Sequence, residues 1–132
     1  MPKIRHLAIV CMDPEALAKF YCDVFDMKIQ SRSGRNNLFV TDGYMTVALL
    51  RQRAEGKPCG LNHFGFVVED ADEIARRLAA HAVVGPTDRP EDRAYAEQRA
   101  TDPEGNNFDI SEHGYDRPET VEQRKERKTA PA

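Results

Sequence analysis

His63-Phe64-Gly65-Phe66-Val67 restates His6-Leu7-Ala8-Ile9-Val10 after an interval of 57 positions, and this pair of stretches decides how the chain is read. From Lys3 to Val10, Arg5, Leu7 and Ile9 alternate with His6, Ala8 and Val10, the period of a strand. The same interval carries Asp13 onto Asp70 and Leu17 onto Ile74, so the element after the first strand should recur after the second. Asp13-Pro14 supplies a carboxylate for orphan helix donors and a proline whose fixed φ suits the first helical position. Leu17, Phe20, Tyr21, Val24 and Phe25 then recur at helical spacing and predict an amphipathic helix over Pro14–Phe25. Asp70 and Glu73 form a capping-box-like pair before a second helix, whose apolar stripe is Ala71, Ile74, Ala75 and Leu78.

Working outward, strand-like stretches lie at Met27–Arg32, Leu38–Thr41 and Met45–Leu50, with a hairpin signal at Thr41-Asp42-Gly43-Tyr44. Arg51–Gly60, charged and containing Gly56, Pro58 and Gly60, reads as a linker. In the second half, strands are expected near Ala82–Gly85, Tyr95–Thr101 and Asn107–Ser111, with a turn at Asp102-Pro103-Glu104-Gly105. The result is an α+β chain of two βαβββ modules in tandem: one over residues 3–50, one over 61–112, joined by the linker. Residues 113–132 hold mixed charge and only Tyr115 and Val121 as sizeable apolar groups, and read as a charged tail. An open four-stranded module cannot cover both faces of its sheet, so the two must pack together or borrow from another chain.

A length of 132 residues suits one domain, and 19 basic residues against 22 acidic ones remove the electrostatic argument for nucleic-acid binding. No apolar run approaches a membrane span, and Met1–His6 carries no signal-peptide pattern, so a cytoplasmic protein without membrane partners is expected. Cys11, Cys22 and Cys59 are odd in number and lack CxxC spacing, which suggests neither a disulfide framework nor a cysteine zinc site.

His6 and His63 occupy equivalent positions in the two modules. Equivalent inward positions meet near a pseudo-twofold axis, so the two imidazoles should converge. Alternation in the last strand puts Asp109 between Phe108 and Ile110, where a buried carboxylate needs a cation or several donors. Two imidazoles and a carboxylate suit a divalent ion such as Fe2+, Mn2+, Ni2+ or Zn2+. Glu112 is the reserve ligand if a bulge re-registers that strand. Arg35, Tyr44, Arg93, Tyr95, Gln98 and Arg99 lie where loops or late strands could line a cavity, with Tyr44, Arg93 and Arg99 the catalytic candidates. Arginines beside a metal suit a small anionic, oxygen-rich substrate.

The doubled His-x-[Ala/Gly]-[Ile/Phe]-Val start, the helix containing Phe20-Tyr21, and Thr101-Asp102-Pro103-Glu104-Gly105-Asn106 before a final strand resemble the vicinal oxygen chelate superfamily. Its members include glyoxalase I, extradiol dioxygenases, fosfomycin-resistance thiol transferases, methylmalonyl-CoA epimerase and metal-free bleomycin-binding proteins. The resemblance spans Ile4 to Glu112. It implies a metal-dependent lyase or isomerase, thiol transferase or dioxygenase, with His6, His63 and Asp109 as ligands; the alternative is a metal-free sequestration protein. Aspartate stands where the family usually has glutamate, and Ala48 where glyoxalase-like members carry a further acidic ligand. The resemblance also points to a homodimer, and the linker is long enough to let His6 of one chain meet His63 and Asp109 of another.

Overall fold

Asp13 and Asp70 start their helices by the same chemistry. The computed structural model describes residues 1–33, 36–53, 56–81, 86–89, 96–116 and 121–129. Strand β1 (Lys3–Cys11) runs into helix α1 (Pro14–Phe25), where Asp13 Oδ1 accepts from the Ala16 N–H at 3.1 Å. After β2 (Lys28–Arg32), β3 (Leu38–Thr41), β4 (Thr46–Arg51) and β5 (Gly60–Val67) comes α2 (Ala71–Ala80). There Asp70 Oδ1 accepts from Asp72 and Glu73 N–H. Only half of the expected capping box forms: the Glu73 carboxylate pairs with Arg76 and Arg77 one turn on. The chain closes with β6 (Thr87–Asp88), β7 (Gln98–Thr101), β8 (Asn107–Ser111) and α3 (Val121–Thr129).

The fold is α+β, two βαβββ modules sharing one mixed sheet in the order β2-β3-β4-β1-β5-β8-β7-β6, which does not close into a barrel. β1 and β5, the two strands that carry the repeated sequence, lie side by side and antiparallel at its centre. Each is parallel to the last strand of its own module, β1 to β4 and β5 to β8. The linker folds back locally: the Gln52 N–H donates to the Cys11 carbonyl at 2.9 Å, and Gly60 at φ +118° re-enters the sheet opposite Val10.

Two small cores lie under the two helices. Cys11, Ala18, Leu38, Val40 and Leu49 form one; Val68, Ala100, Phe108 and Ile110 form the other, packed by Ile74 and Leu78. The buried side of α1 differs from the stripe its spacing suggests. Ala18 is the point of close approach, with Leu17 and Cys22 beside it, while Phe20, Val24 and Phe25 are each more than half exposed. A helix settles where a small residue lets its backbone near the sheet, which here leaves the bulky aromatic side outward.

The expected strand at Ala82–Gly85 lies outside the described residues, and β6 is seen just beyond it. Residues 113–115 are continuous with the fold, because Gly114 (φ +101°) turns the chain after β8 and buries Tyr115 at 2% exposure. Beyond them, Arg127 of α3 reaches Glu97 at 3.3 Å and Glu112 at 3.6 Å.

Candidate metal centre

Register alone gathers the site. Across the β1–β5 seam His6 stands opposite Gly65 and Ala8 opposite His63; across β5–β8 Gly65 stands opposite Asp109. Side chains two apart on one strand share a face, so His6, His63 and Asp109 project from the same side around Gly65. One ligand-type atom from each lies within 4.8 Å of the other two, and all three residues are buried. The two Nε2 atoms are 3.4 Å apart, and His63 Nε2 is 3.2 Å from Asp109 Oδ2. Within the single chain, β5 lies against β1 and the three residues come together.

The register also explains why there is one carboxylate. Ala8 faces Ala48 as Gly65 faces Asp109, so Ala48 is the repeat's counterpart of the acid, as expected from the sequence.

The surroundings fix the protonation pattern. His63 Nδ1 is 2.7 Å from Asn62 Oδ1, an acceptor, so this nitrogen carries the proton. Its Nε2 faces Asp109 Oδ2 at 3.2 Å and Arg99 Nη2 at 3.3 Å. Nε2 and Asp109 Oδ2 thus form a slot that needs a proton or a cation between them. The other oxygen of Asp109 is engaged by Arg99 Nε at 2.7 Å and Arg89 Nη1 at 3.3 Å. Burial alone would raise the Asp109 pKa, but bonds with His63 and Arg99 outweigh it and hold the carboxyl well below its ordinary range. Burial, then the neighbouring His63, lower the His6 pKa to about 4, so His6 is neutral at working pH.

That shift has a measurable sign. Between about 6.5 and about 4 the unfolded chain takes up a proton that buried His6 refuses, so metal-free protein loses stability as pH falls through this window. The loss should reach roughly 3 kcal/mol near the lower end. Depressed Asp109 acts in the same direction in a lower window, since its contribution fades as pH falls below the carboxylate range. Urea midpoints should therefore drop between about pH 7 and pH 5, and less so in His6→Phe; equal slopes in the two proteins would contradict this.

Tyr115 completes the site. Its ring stacks on His6 with centroids 4.7 Å apart and planes 4° apart, and its hydroxyl donates to the Phe66 carbonyl at 3.1 Å. Burial pushes the phenol far above its usual pKa, so it stays a donor. Gly65 makes room: a Cβ there would stand 2.5 Å from the Tyr115 hydroxyl oxygen and 2.8 Å from the ring carbon bearing it. Gly65→Ala should therefore cost about 1–3 kcal/mol in thermal or urea unfolding, from overpacking alone.

Of the other sequence candidates among the described residues, Arg99 alone reaches the site. Glu112 turns away, its Oε2 accepting from the Ala71 N–H at 3.1 Å as a second cap on α2. Tyr44 sits in the β3–β4 turn, half exposed, beneath the Arg5 guanidinium at 4.1 Å. Gln98 Nε2 donates to Asp88. Arg35, Arg93 and Tyr95 lie outside the described residues. Sequence reasoning misses Asn62, Arg89 and Tyr115. For Tyr115 a signal exists, a lone large aromatic between the last strand and a polar tail; Asn62 and Arg89 show none.

Comparison with known proteins agrees with this architecture. The sequence model of the Glyoxalase/Bleomycin resistance protein/Dioxygenase superfamily matches residues 3–110. The uncharacterized protein YaeR of Escherichia coli K12 is 28% identical over 120 residues, covering 80% of this chain and 92% of that one. Among solved structures, the 2,3-dioxygenase LapB from Pseudomonas sp. KL28 superposes with a TM-score of 0.68 at 16% identity, over 90% of this chain and 42% of that one. Methylmalonyl-CoA epimerase of Streptomyces coelicolor gives 0.60 at 17% identity, over 83% and 96%. At these identities the two structures speak for the fold.

Proposed function

The chain belongs to the glyoxalase/bleomycin resistance/dioxygenase superfamily, and from that premise we propose a metal-dependent enzyme whose divalent ion is held by His6, His63 and Asp109. The observation that carries the reading is the slot between His63 Nε2 and Asp109 Oδ2 with His6 Nε2 beside it. A buried donor set of two neutral nitrogens and a carboxylate oxygen fits Fe2+, Mn2+, Ni2+ or Zn2+. Asn62 supplies the outer bond that such a ligating histidine needs. When bound, such an ion supplies Lewis acidity toward vicinal substrate oxygens.

The chain's own residues set what enters. Arg89 and Arg99 bring two positive charges against the single negative charge of Asp109. The site is therefore cationic even before a metal binds, which suits a small anionic, oxygen-rich substrate. With Asp109 Oδ1 occupied by the guanidiniums, Oδ2 is the oxygen left to face the metal. Arg99 Nη2 also lies 3.3 Å from His63 Nε2, a contact that an ion on that nitrogen would displace.

A homodimer is part of the proposal. Its support is the outward aromatic side of α1, where Phe20, Val24 and Phe25 leave an apolar patch that a second copy would cover. Cytoplasmic residence is also proposed; no helix among the described residues is long and apolar enough to cross a membrane.

Metal analysis of protein purified without added metal or chelator tests the reading. About one transition-metal ion per chain is expected. A chain that carries no metal and takes up none of the four ions would instead favour the metal-free binding function.

A further inference from the structure

We propose that Tyr115 is a positioning residue for His6: its ring, laid flat on the imidazole, fixes the plane in which the His6 nitrogen meets the metal. The proposal rests on the metal-site reading above.

A ligating histidine is ordinarily oriented by a hydrogen bond from its other ring nitrogen. His63 has that bond, to Asn62. His6 does not: its Nδ1 is buried and finds no hydrogen-bond partner among the described residues. An imidazole free to rotate about its side-chain bonds would present its lone pair in many directions, and something must remove that freedom. The nearly parallel Tyr115 ring does so by covering one face.

Tyr115 is itself held at both ends. The hydroxyl is tied to the Phe66 carbonyl of β5. The Tyr115 main-chain carbonyl accepts from Thr46 Oγ1 of β4 at 3.0 Å and from Gln30 Nε2 of β2 at 2.8 Å. Just before it, the Gly114 N–H donates to Ser111 Oγ at 2.8 Å, which closes the turn that brings the chain back over the site. The absent Cβ of Gly65 is the space the phenol enters. Together these contacts fix the angle of one ring against the other. The polypeptide that delivers Asp109 on β8 thus continues, six residues later, into the group that sets His6. The carboxylate and one histidine are placed by the same stretch of chain.

Two substitutions separate the ring from its hydroxyl. Tyr115→Phe keeps the stack and loses the bond to Phe66; Tyr115→Leu fills space without a flat face. In metal-free protein, stacking should shift the His6 ring C–H proton resonances upfield. That shift should persist in Tyr115→Phe and disappear in Tyr115→Leu. Zn2+ affinity, measured by chelator competition, should fall about 10-fold or more in Tyr115→Leu and stay within about 3-fold of the parent in Tyr115→Phe. Circular dichroism checks that both variants fold. Parent-like zinc affinity in folded Tyr115→Leu would overturn the inference while leaving the metal site intact. Should Tyr115→Leu fail to fold, the parent spectrum decides: unshifted His6 resonances overturn the inference. If the parent binds none of the four ions, the functional reading fails, and the metal-free resonances still decide whether Tyr115 sets the ring.

Discussion

Asp109→Ala is expected to lower the melting temperature of metal-free protein by roughly 10 °C and to weaken metal binding about 100-fold or more. The carboxylate is 5% exposed, is the shared counter-charge of Arg99 and Arg89, and lies 3.2 Å from His63 Nε2. Deleting one partner of a buried ion pair costs about 3–5 kcal/mol, because the remaining charges lose their solvation as well as their partner. The lower end applies, since the two guanidiniums are about one-fifth to one-quarter exposed and can turn partly to water. Asp109→Asn keeps the shape but not the charge, so it should melt between the two. Differential scanning calorimetry of the three proteins provides the check, and an unchanged Asp109→Ala melting point would show that the arginines do not depend on this carboxylate.

His63→Ala should reduce divalent-metal affinity about 100-fold or more, and His6→Ala by a similar factor. Zinc in a four-ligand protein site is worth about 10–16 kcal/mol, so one ligand carries about 3 kcal/mol of it, which is roughly a hundredfold. His63→Ala also frees Asn62 and removes an acceptor from Arg99, so its effect should be the larger of the two. Glu112→Gln is the internal control. Its carboxylate caps α2, so it should cost some stability and leave metal affinity unchanged. Equal metal affinity in all three variants would remove these histidines from the site.

The parts of the molecule governed by repetition were readable from the sequence; those governed by contact between distant segments were not. The start of α1 matches the expected Pro14 because Asp13 and Pro14 act locally, and the helix ends after Phe25 where Asp26 turns left-handed. Its buried side did not follow from periodicity: the spacing shows where the apolar groups are, but Ala18 decides where the sheet can approach. The convergence of His6 and His63 follows from their equivalence once the modules pair. In the single chain β5 comes back beside β1, with Gly60 entering the sheet opposite Val10. Asp109 was legible as a buried acid in an apolar strand. Its arginines were less so: Arg99 is its register partner on β7, whereas Arg89 arrives from just beyond a two-residue edge strand. Tyr115 was hidden by its context. Composition averages a segment, and one aromatic among charges reads as tail even when it is 2% exposed against a histidine.

Contacts across strands also hold Asp109 in place. Gly65, its neighbour across β5–β8, brings no side chain of its own, and Arg99 steadies the carboxylate from the adjacent strand. On the proposed metal reading, a short acid held this firmly would gain by rigidity what it lacks in reach, since fewer rotamers are lost when it binds.

The most direct measurement is an anomalous-scattering map from crystals soaked in Mn2+ or Zn2+, collected at the absorption edge of the ion. One strong peak per chain is expected, bounded by His6 Nε2, His63 Nε2 and Asp109 Oδ2, with Arg99 still on Asp109 Oδ1. A peak anywhere else, or an ordered His6–His63–Asp109 cluster with no peak at saturating metal, would contradict a metal centre at these three residues.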